Sequence, residues 1–212
     1  MKKNVLLIIG LLTMVTIVFV NAKKTTPSTI KGGYEVGSEV KDFSLKNIDG
    51  KTVSMSDYTE AKGFIVVFTC NTCPYAKMYE KRIDNLNLKY ADKGYPVLAI
   101  NPNDKEKQPG DSFDEMTARA KDKNYSFPYL YDENQEVALR YGATRTPHIY
   151  IVNKEAKNLK VVYIGAIDNN PKDAKSVDVK YVEEAVNNLL DGKTVETTKT
   201  KAIGCSIKWK EA

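Results

Sequence analysis

Apolar residues run without interruption at two places in the first half of the chain, Phe64 to Thr69 (FIVVFT) and Tyr95 to Ile100 (YPVLAI). β-Branched and aromatic runs of that length predict strands buried on both faces. Between them Tyr75, Tyr79, Ile83, Leu86 and Tyr90 recur at spacings of four and three, which predicts one face of a helix. Strand, helix and second apolar strand make a βαβ crossover. Upstream, residues 41–57 (KDFSLKNIDGKTVSMSD) alternate apolar and polar around Asp49-Gly50, a hairpin signal. Downstream, Ser112 with Glu115 is a capping box opening a helix that carries Phe113, Met116 and Ala120. A shorter helix is expected from Glu133 to Tyr141, ended by Gly142. Two strands follow, His148 to Val152 and Leu159 to Ile167, joined near Asn153-Lys154. Asp178 to Leu190 is a closing helix with Val182, Val186 and Leu189 on one face. The pattern is that of an α/β domain: a mixed central β-sheet flanked by helices, with an N-terminal hairpin ahead of it.

The ends of the chain read differently. Lys2 and Lys3 precede an apolar run from Val5 to Val20, closed by Val20-Asn21-Ala22. A positive start, an apolar core and small residues at a cut site describe a signal peptide over residues 1–22. The run is short and threonine-dotted for a membrane span, which takes about 20 apolar residues. Retention of the leader as a membrane anchor is the alternative. Export to the periplasm or the medium is expected. Residues 23–33 (KKTTPSTIKGG) form a polar linker, 34–192 hold the domain, and 193–212 form a C-terminal tail with Cys205. The formal charge is +5. Lysines and acids are intermixed along the chain, which describes a solvated surface and excludes a nucleic-acid partner.

The chemistry is concentrated in VVFTCNTCPYAKMYEKR, residues 66–82. Cys70 and Cys73 lie where the first buried strand turns into the helix. Pro74 suits the first helical turn, where its missing N–H costs nothing. The helix start then offers free N–H groups and the positive end of its dipole to Cys70, favouring a thiolate. A two-residue spacer lets the sulfurs bond, so the pair suits reversible disulfide chemistry. A structural zinc site would need four ligands, and the chain could gather Cys70, Cys73, Cys205 and its sole histidine, His148. A purely structural disulfide would constrain the unfolded chain very little across so short a loop. Haem attachment requires histidine where Pro74 stands. Cys205 (KAIGCSIKW) leaves an odd thiol, either a resolving cysteine or a small buried hydrophobe.

A C-x-x-C at a strand–helix turn within a βαβ unit resembles the thioredoxin superfamily. ALRYGATRTPHIYIV, residues 138–152, resembles that family's threonine and cis-proline at the opening of a strand. The hairpin segment DFSLKNIDGKTVSMSD resembles the redoxin (AhpC/TSA-like) branch, and the resemblance spans about residues 34–192. The tail and the C-N-x-C-P site resemble a peroxiredoxin-like subgroup. The resemblance implies a thioredoxin-like fold and a thiol-disulfide oxidoreductase that needs no cofactor. It implies that Cys70 attacks and Cys73 resolves, and that Thr146 and a cis Pro147 hold a substrate strand. Protein disulfides or dithiols and a redox partner are the implied partners.

This chain also departs from the family. Thr69 stands where thioredoxins carry tryptophan, and no carboxylate appears in the preceding strand, so the usual proton acceptor is missing or comes from elsewhere, and the family's pKa and potential do not carry over. The peroxiredoxin motif P-x-x-x-T-x-x-C is absent, since counting back from Cys73 finds Cys70 and Val66 at its threonine and proline positions. A peroxide-reducing antioxidant enzyme therefore remains an alternative on the fold alone. A metal-carrying module using Cys70, Cys73 and His148 is the non-enzymatic one.

Overall fold

The computed structural model describes residues 32–156 and 158–211, so the expected leader and all but the last two residues of the linker lie outside the described residues. Strands β1 (Ser44–Asn47) and β2 (Thr52–Ser54) form the expected hairpin, with Gly50 at φ +84° in its turn. The βαβ unit follows as β3 (Gly63–Phe68), α1 (Pro74–Tyr90) and β4 (Val97–Asn101), its two strands parallel. Helix α2 (Phe113–Lys123) starts at Ser112, whose hydroxyl accepts the Glu115 N–H as a cap. Next come β5 (Tyr129–Tyr131), α3 (Glu136–Tyr141), β6 (Arg145–Thr146), β7 (His148–Glu155), β8 (Asn158–Gly165), α4 (Tyr181–Leu190) and β9 (Cys205–Ser206).

The main sheet has the order β2-β1-β5-β4-β3-β7-β8. The β3–β4 and β4–β5 pairs are parallel and the others antiparallel, giving the mixed sheet of a thioredoxin-like fold. Strand β3 is buried along its whole length because both faces are covered. Ile65 and Val67 enter one core with Tyr79, Ile83 and Tyr90 of α1, Met116 of α2, and Val182 and Val186 of α4. Phe64, Val66 and Phe68 enter a second core with Val137 and Tyr141 of α3 and with Ile207. Each such large side chain, fully buried, contributes roughly 1.5–3 kcal/mol.

Several expectations are revised. Helix α4 begins at Tyr181, three residues after Asp178, because the Asp178 and Val179 N–H groups donate to Asn169 Oδ1, and β8 ends at Gly165, short of Ile167. Strand β5 was not legible, because three residues after Pro128 carry too little alternation to read. Strand β7 runs through Asn153-Lys154 to Glu155, so the turn to β8 falls later than expected. Helix α3 begins three residues late, at Glu136: Gln135 is left-handed at φ +62°, and the Asp132 carboxylate accepts the Val137 and Ala138 N–H groups.

The last stretch is part of the folded body. Thr200 N–H donates to the Ile164 carbonyl, 2.9 Å, and the Thr200 side chain lies where a Cβ on Gly165 would fall. Ile207 is buried, and Lys208 is tied on both sides of its backbone, to Asn103 Oδ1 (2.9 Å) and the Asp104 N–H (2.9 Å). Among the described residues no helix is long and apolar enough to cross a membrane.

Candidate active site

Register places the site. Strand β7 runs antiparallel to β3 with Phe68 opposite His148. Two residues beyond Phe68 is Cys70, and two residues before His148 is Thr146, so the pairing brings these two together at the sheet end. Cys70 Sγ lies 3.2 Å from Thr146 Oγ1, and the Cys73 thiol donates to the Thr146 carbonyl at 3.1 Å. The Thr146–Pro147 peptide is cis, as the resemblance implied. Pro74 is the first residue of α1 and Cys73 its N-cap.

The two thiols are equally sheltered, each 3 % exposed, so Cys70 is not the more accessible one. Their proton affinities are split. Cys73 is drawn below the usual thiol range, chiefly by the hydrogen bond from the Cys70 thiol and against burial, which pushes it up, with the Cys205 N–H adding to the lowering. The Thr146 carbonyl favours a protonated Cys73 and the Cys205 N–H a charged one. Cys70 is pushed up by that same bond to Cys73, by burial and by the charge of Asp111. The sequence reading places the low-pKa thiolate at Cys70; the bond the two sulfurs share favours the charge on Cys73 in the reduced pair. Thiolate absorbance near 240 nm in the reduced protein is therefore expected to titrate below the usual thiol range. In Cys70→Ala, which removes the main donor, the midpoint should rise; an unchanged midpoint would contradict this assignment.

Asp111 is a residue the sequence did not single out. It is fully buried beneath the loop between the cysteines. Its Oδ1 accepts the backbone N–H groups of Asn71 (2.7 Å) and Thr72 (3.1 Å), and its Oδ2 accepts Thr72 Oγ1 (2.8 Å) and Asn103 Nδ2 (2.7 Å). Asn71 is fixed further by donating to the Gly110 carbonyl (2.9 Å) and accepting from the buried Tyr129 hydroxyl (3.0 Å). A buried carboxylate therefore lies near the dithiol, in the turn before α2, with its hydrogen bonds on the loop and Asn103 and none on a sulfur. No local spacing signals it.

The strand edge expected to receive substrate is occupied by the chain itself. Strand β9 pairs antiparallel with β6, setting Cys205 opposite Thr146 and Ser206 opposite Arg145. The Cys205 N–H donates to Cys73 Sγ at 3.3 Å, and Cys205 packs against Cys70, Cys73 and Ala76. Cys205 is half-buried, the most exposed of the three thiols.

His148 does not join the cysteines. Its Nδ1 accepts the Thr144 N–H at 3.3 Å and its ring packs on Tyr150. Among the described residues no three His, Cys, Asp or Glu side chains are grouped to hold a metal, so the Cys70–Cys73–His148 carrier has no geometric support. Burial, with Arg145 and Lys199 nearby, pulls His148 down to about 4. A histidine whose folded pKa lies below its unfolded value, near 6.5, destabilises the fold as pH falls from about 6.5 to 4. That loss amounts to about 3 kcal/mol for a shift of this size. Chemical denaturation at pH 7 and pH 4 should show this component in the wild type and lose it in His148→Phe.

The fold and the buried dithiol beside Thr146–Pro147 define a thioredoxin-like redox protein. Residues 36–163 match the AhpC/TSA family, and the chain belongs to it. It is similar to the crystal structure of an uncharacterized conserved protein from Geobacillus kaustophilus. The two are 38% identical with a TM-score of 0.77, over 84% of this chain and 94% of that one. A hypothetical protein from Sinorhizobium meliloti 1021 is 32% identical with a TM-score of 0.78, over 85% and 98% of the two chains. The thiol-disulfide oxidoreductase ResA of Bacillus thuringiensis subsp. konkukian is 22% identical over 60% of this chain and 69% of its own. ResA of Bacillus subtilis is 25% identical over 59% and 66%.

Proposed function

We propose that the protein is a thiol-disulfide oxidoreductase whose Cys70/Cys73 couple exchanges electrons with cysteines of protein partners outside the cytosol. One observation carries the reading: both sulfurs sit at the start of α1, against the same residue, Thr146, with their proton affinities split. A dithiol so arranged presents one stabilised thiolate and one protonated partner. The thiolate attacks a substrate disulfide, and the second sulfur releases the product by closing the Cys70–Cys73 bond. The names of the ResA relatives support the same chemistry. Insulin reduction in the presence of a small-dithiol reductant tests it. Rates no higher than those of the reductant alone would reject it. A measured potential near −270 mV would mark a reductant and one near about −120 mV an oxidant.

Hydroperoxide reduction is the second reading. The observation favouring it is the closed Thr146 edge above two buried sulfurs, which a peroxide could pass more readily than a polypeptide strand. Peroxide consumption without insulin reduction would select it.

Export rests on the tripartite leader of residues 1–22. Intact mass of the protein from its native host should show loss of those residues, with the mature chain beginning near Lys23. A full-length form in the cytosol would exclude export.

A further inference from the structure

A strand already lies where a partner strand would have to dock, and that strand carries a thiol. Cys205 stands opposite Thr146 in the β6–β9 pair, with its N–H on Cys73 Sγ (3.3 Å) and its side chain packed against the Cys70, Cys73 and Ala76 cluster. The position is built. The Arg145 guanidinium donates to the Gly204 carbonyl (2.9 Å), and the Ile207 N–H donates to the Thr144 carbonyl (3.2 Å). A Cβ on Gly204 would fall 2.1 Å from the Thr146 carbonyl oxygen, so the tail lies as close to Thr146 as a backbone can. The three sulfurs form one cluster, Cys70 and Cys73 each 3 % exposed and Cys205 half-buried at its rim. This segment lies beyond the family match, which ends at residue 163.

We propose that Cys205 is the outward-facing member of a three-thiol relay, in which Cys73 pairs alternately with Cys70 and with Cys205 and partner thiols react at Cys205. The proposal rests on the thiol-disulfide reading above and adds the route by which a covered dithiol meets a macromolecule. In the oxidised protein the Cys205 thiolate attacks Cys73 Sγ. The Cys73–Cys205 bond forms, the Cys70–Cys73 bond breaks, and the electron pair leaves on Cys70, which takes up a proton. An incoming partner thiolate then attacks Cys205 Sγ and expels Cys73 as thiolate, giving a mixed disulfide between Cys205 and the partner. A second partner thiol attacks that bond, leaving the partner oxidised and Cys205 reduced. In the opposite direction the same bonds form and break in reverse order. No further oxidant enters the internal exchange, since the Cys70–Cys73 disulfide supplies both electron acceptors. The donors that stabilise a Cys73 thiolate also make it a good leaving group.

The test uses the full chain in glutathione redox buffers, quenched with acid, alkylated and mapped by mass spectrometry without reduction. Wild type should contain both Cys70–Cys73 and Cys73–Cys205 peptides, and Cys70→Ser should close a Cys73–Cys205 bond within one monomer. In Cys73→Ser, glutathione should appear on Cys205 at least about tenfold faster than on Cys70, following exposure. Cys205→Ser should still form the Cys70–Cys73 disulfide yet reduce insulin at least about tenfold more slowly than wild type. If Cys205 stays alkylatable in oxidised Cys70→Ser, or Cys205→Ser reduces insulin at the wild-type rate, the relay is rejected while the dithiol function stands. If wild type reduces no insulin, the function itself fails, and the mapping of Cys70→Ser still decides whether the third thiol is coupled.

Discussion

Cys73→Ser is expected to lower insulin reduction by at least about a thousandfold, on the order of 4 kcal/mol in the barrier. Cys73 is the N-cap of α1, its sulfur accepts the Cys205 N–H, and the bond it shares with Cys70 draws its proton affinity down. It is also the sulfur that both other cysteines touch. Serine keeps the size but supplies neither a thiolate nor a sulfur to bond. Non-reducing mass spectrometry of the variant after turnover checks the roles. Substrate accumulating on Cys70 would restore the order read from the sequence, with Cys70 attacking and Cys73 resolving. Normal turnover in Cys73→Ser would remove this cysteine from the chemistry.

Asp111→Ala is expected to cost about 3–5 kcal/mol of stability, the usual range when one side of a buried charged network is removed. Four donors from Asn71, Thr72 and Asn103 would lose their acceptor, with Asn71 and Asn103 buried and Thr72 half-buried. For a chain of this length the loss corresponds to roughly 8–15 °C in Tm. Asp111→Asn should cost less, since its oxygen can still take the two loop N–H groups and Thr72 can turn its hydroxyl to accept. What remains is Asn103 Nδ2 facing an amide NH₂, because Asn103 Oδ1 is already taken by the Lys208 N–H. Both variants should lower the pKa of Cys70 by removing a negative charge near it. Thermal unfolding of the three proteins gives the stabilities. A Tm for Asp111→Ala within about 2 °C of wild type would mean that the loop does not depend on this carboxylate.

The closed strand edge changes how a partner can reach the dithiol. Thr146 is fully buried and its backbone is paired with Cys205. A partner strand must displace β9 or act through it. Displacement would release the contacts of Lys208 and Lys210 with Asn103, Asp104 and Gln135 as well as the β6–β9 pair. The three-thiol relay avoids that cost because the exposed member of the cluster already belongs to the tail.

By itself the sequence determined what depends on neighbours along the chain. Periodicity revealed β3, α1, β4, α2 and α4, because burial on one or both faces leaves a repeat that local order preserves. The dithiol and the Thr146–Pro147 segment were legible because short motifs hold each of them. Strand β5 was not, since three residues cannot establish a period. Tertiary structure alone decided the rest. Asp111 reaches the dithiol loop from 40 residues away and Cys205 meets Cys73 across 132, contacts that leave no spacing to read. Which cysteine carries the charge also depends on them, because a thiol's proton affinity is set by the donors, charges and burial around it, and the chain brings these together only by folding.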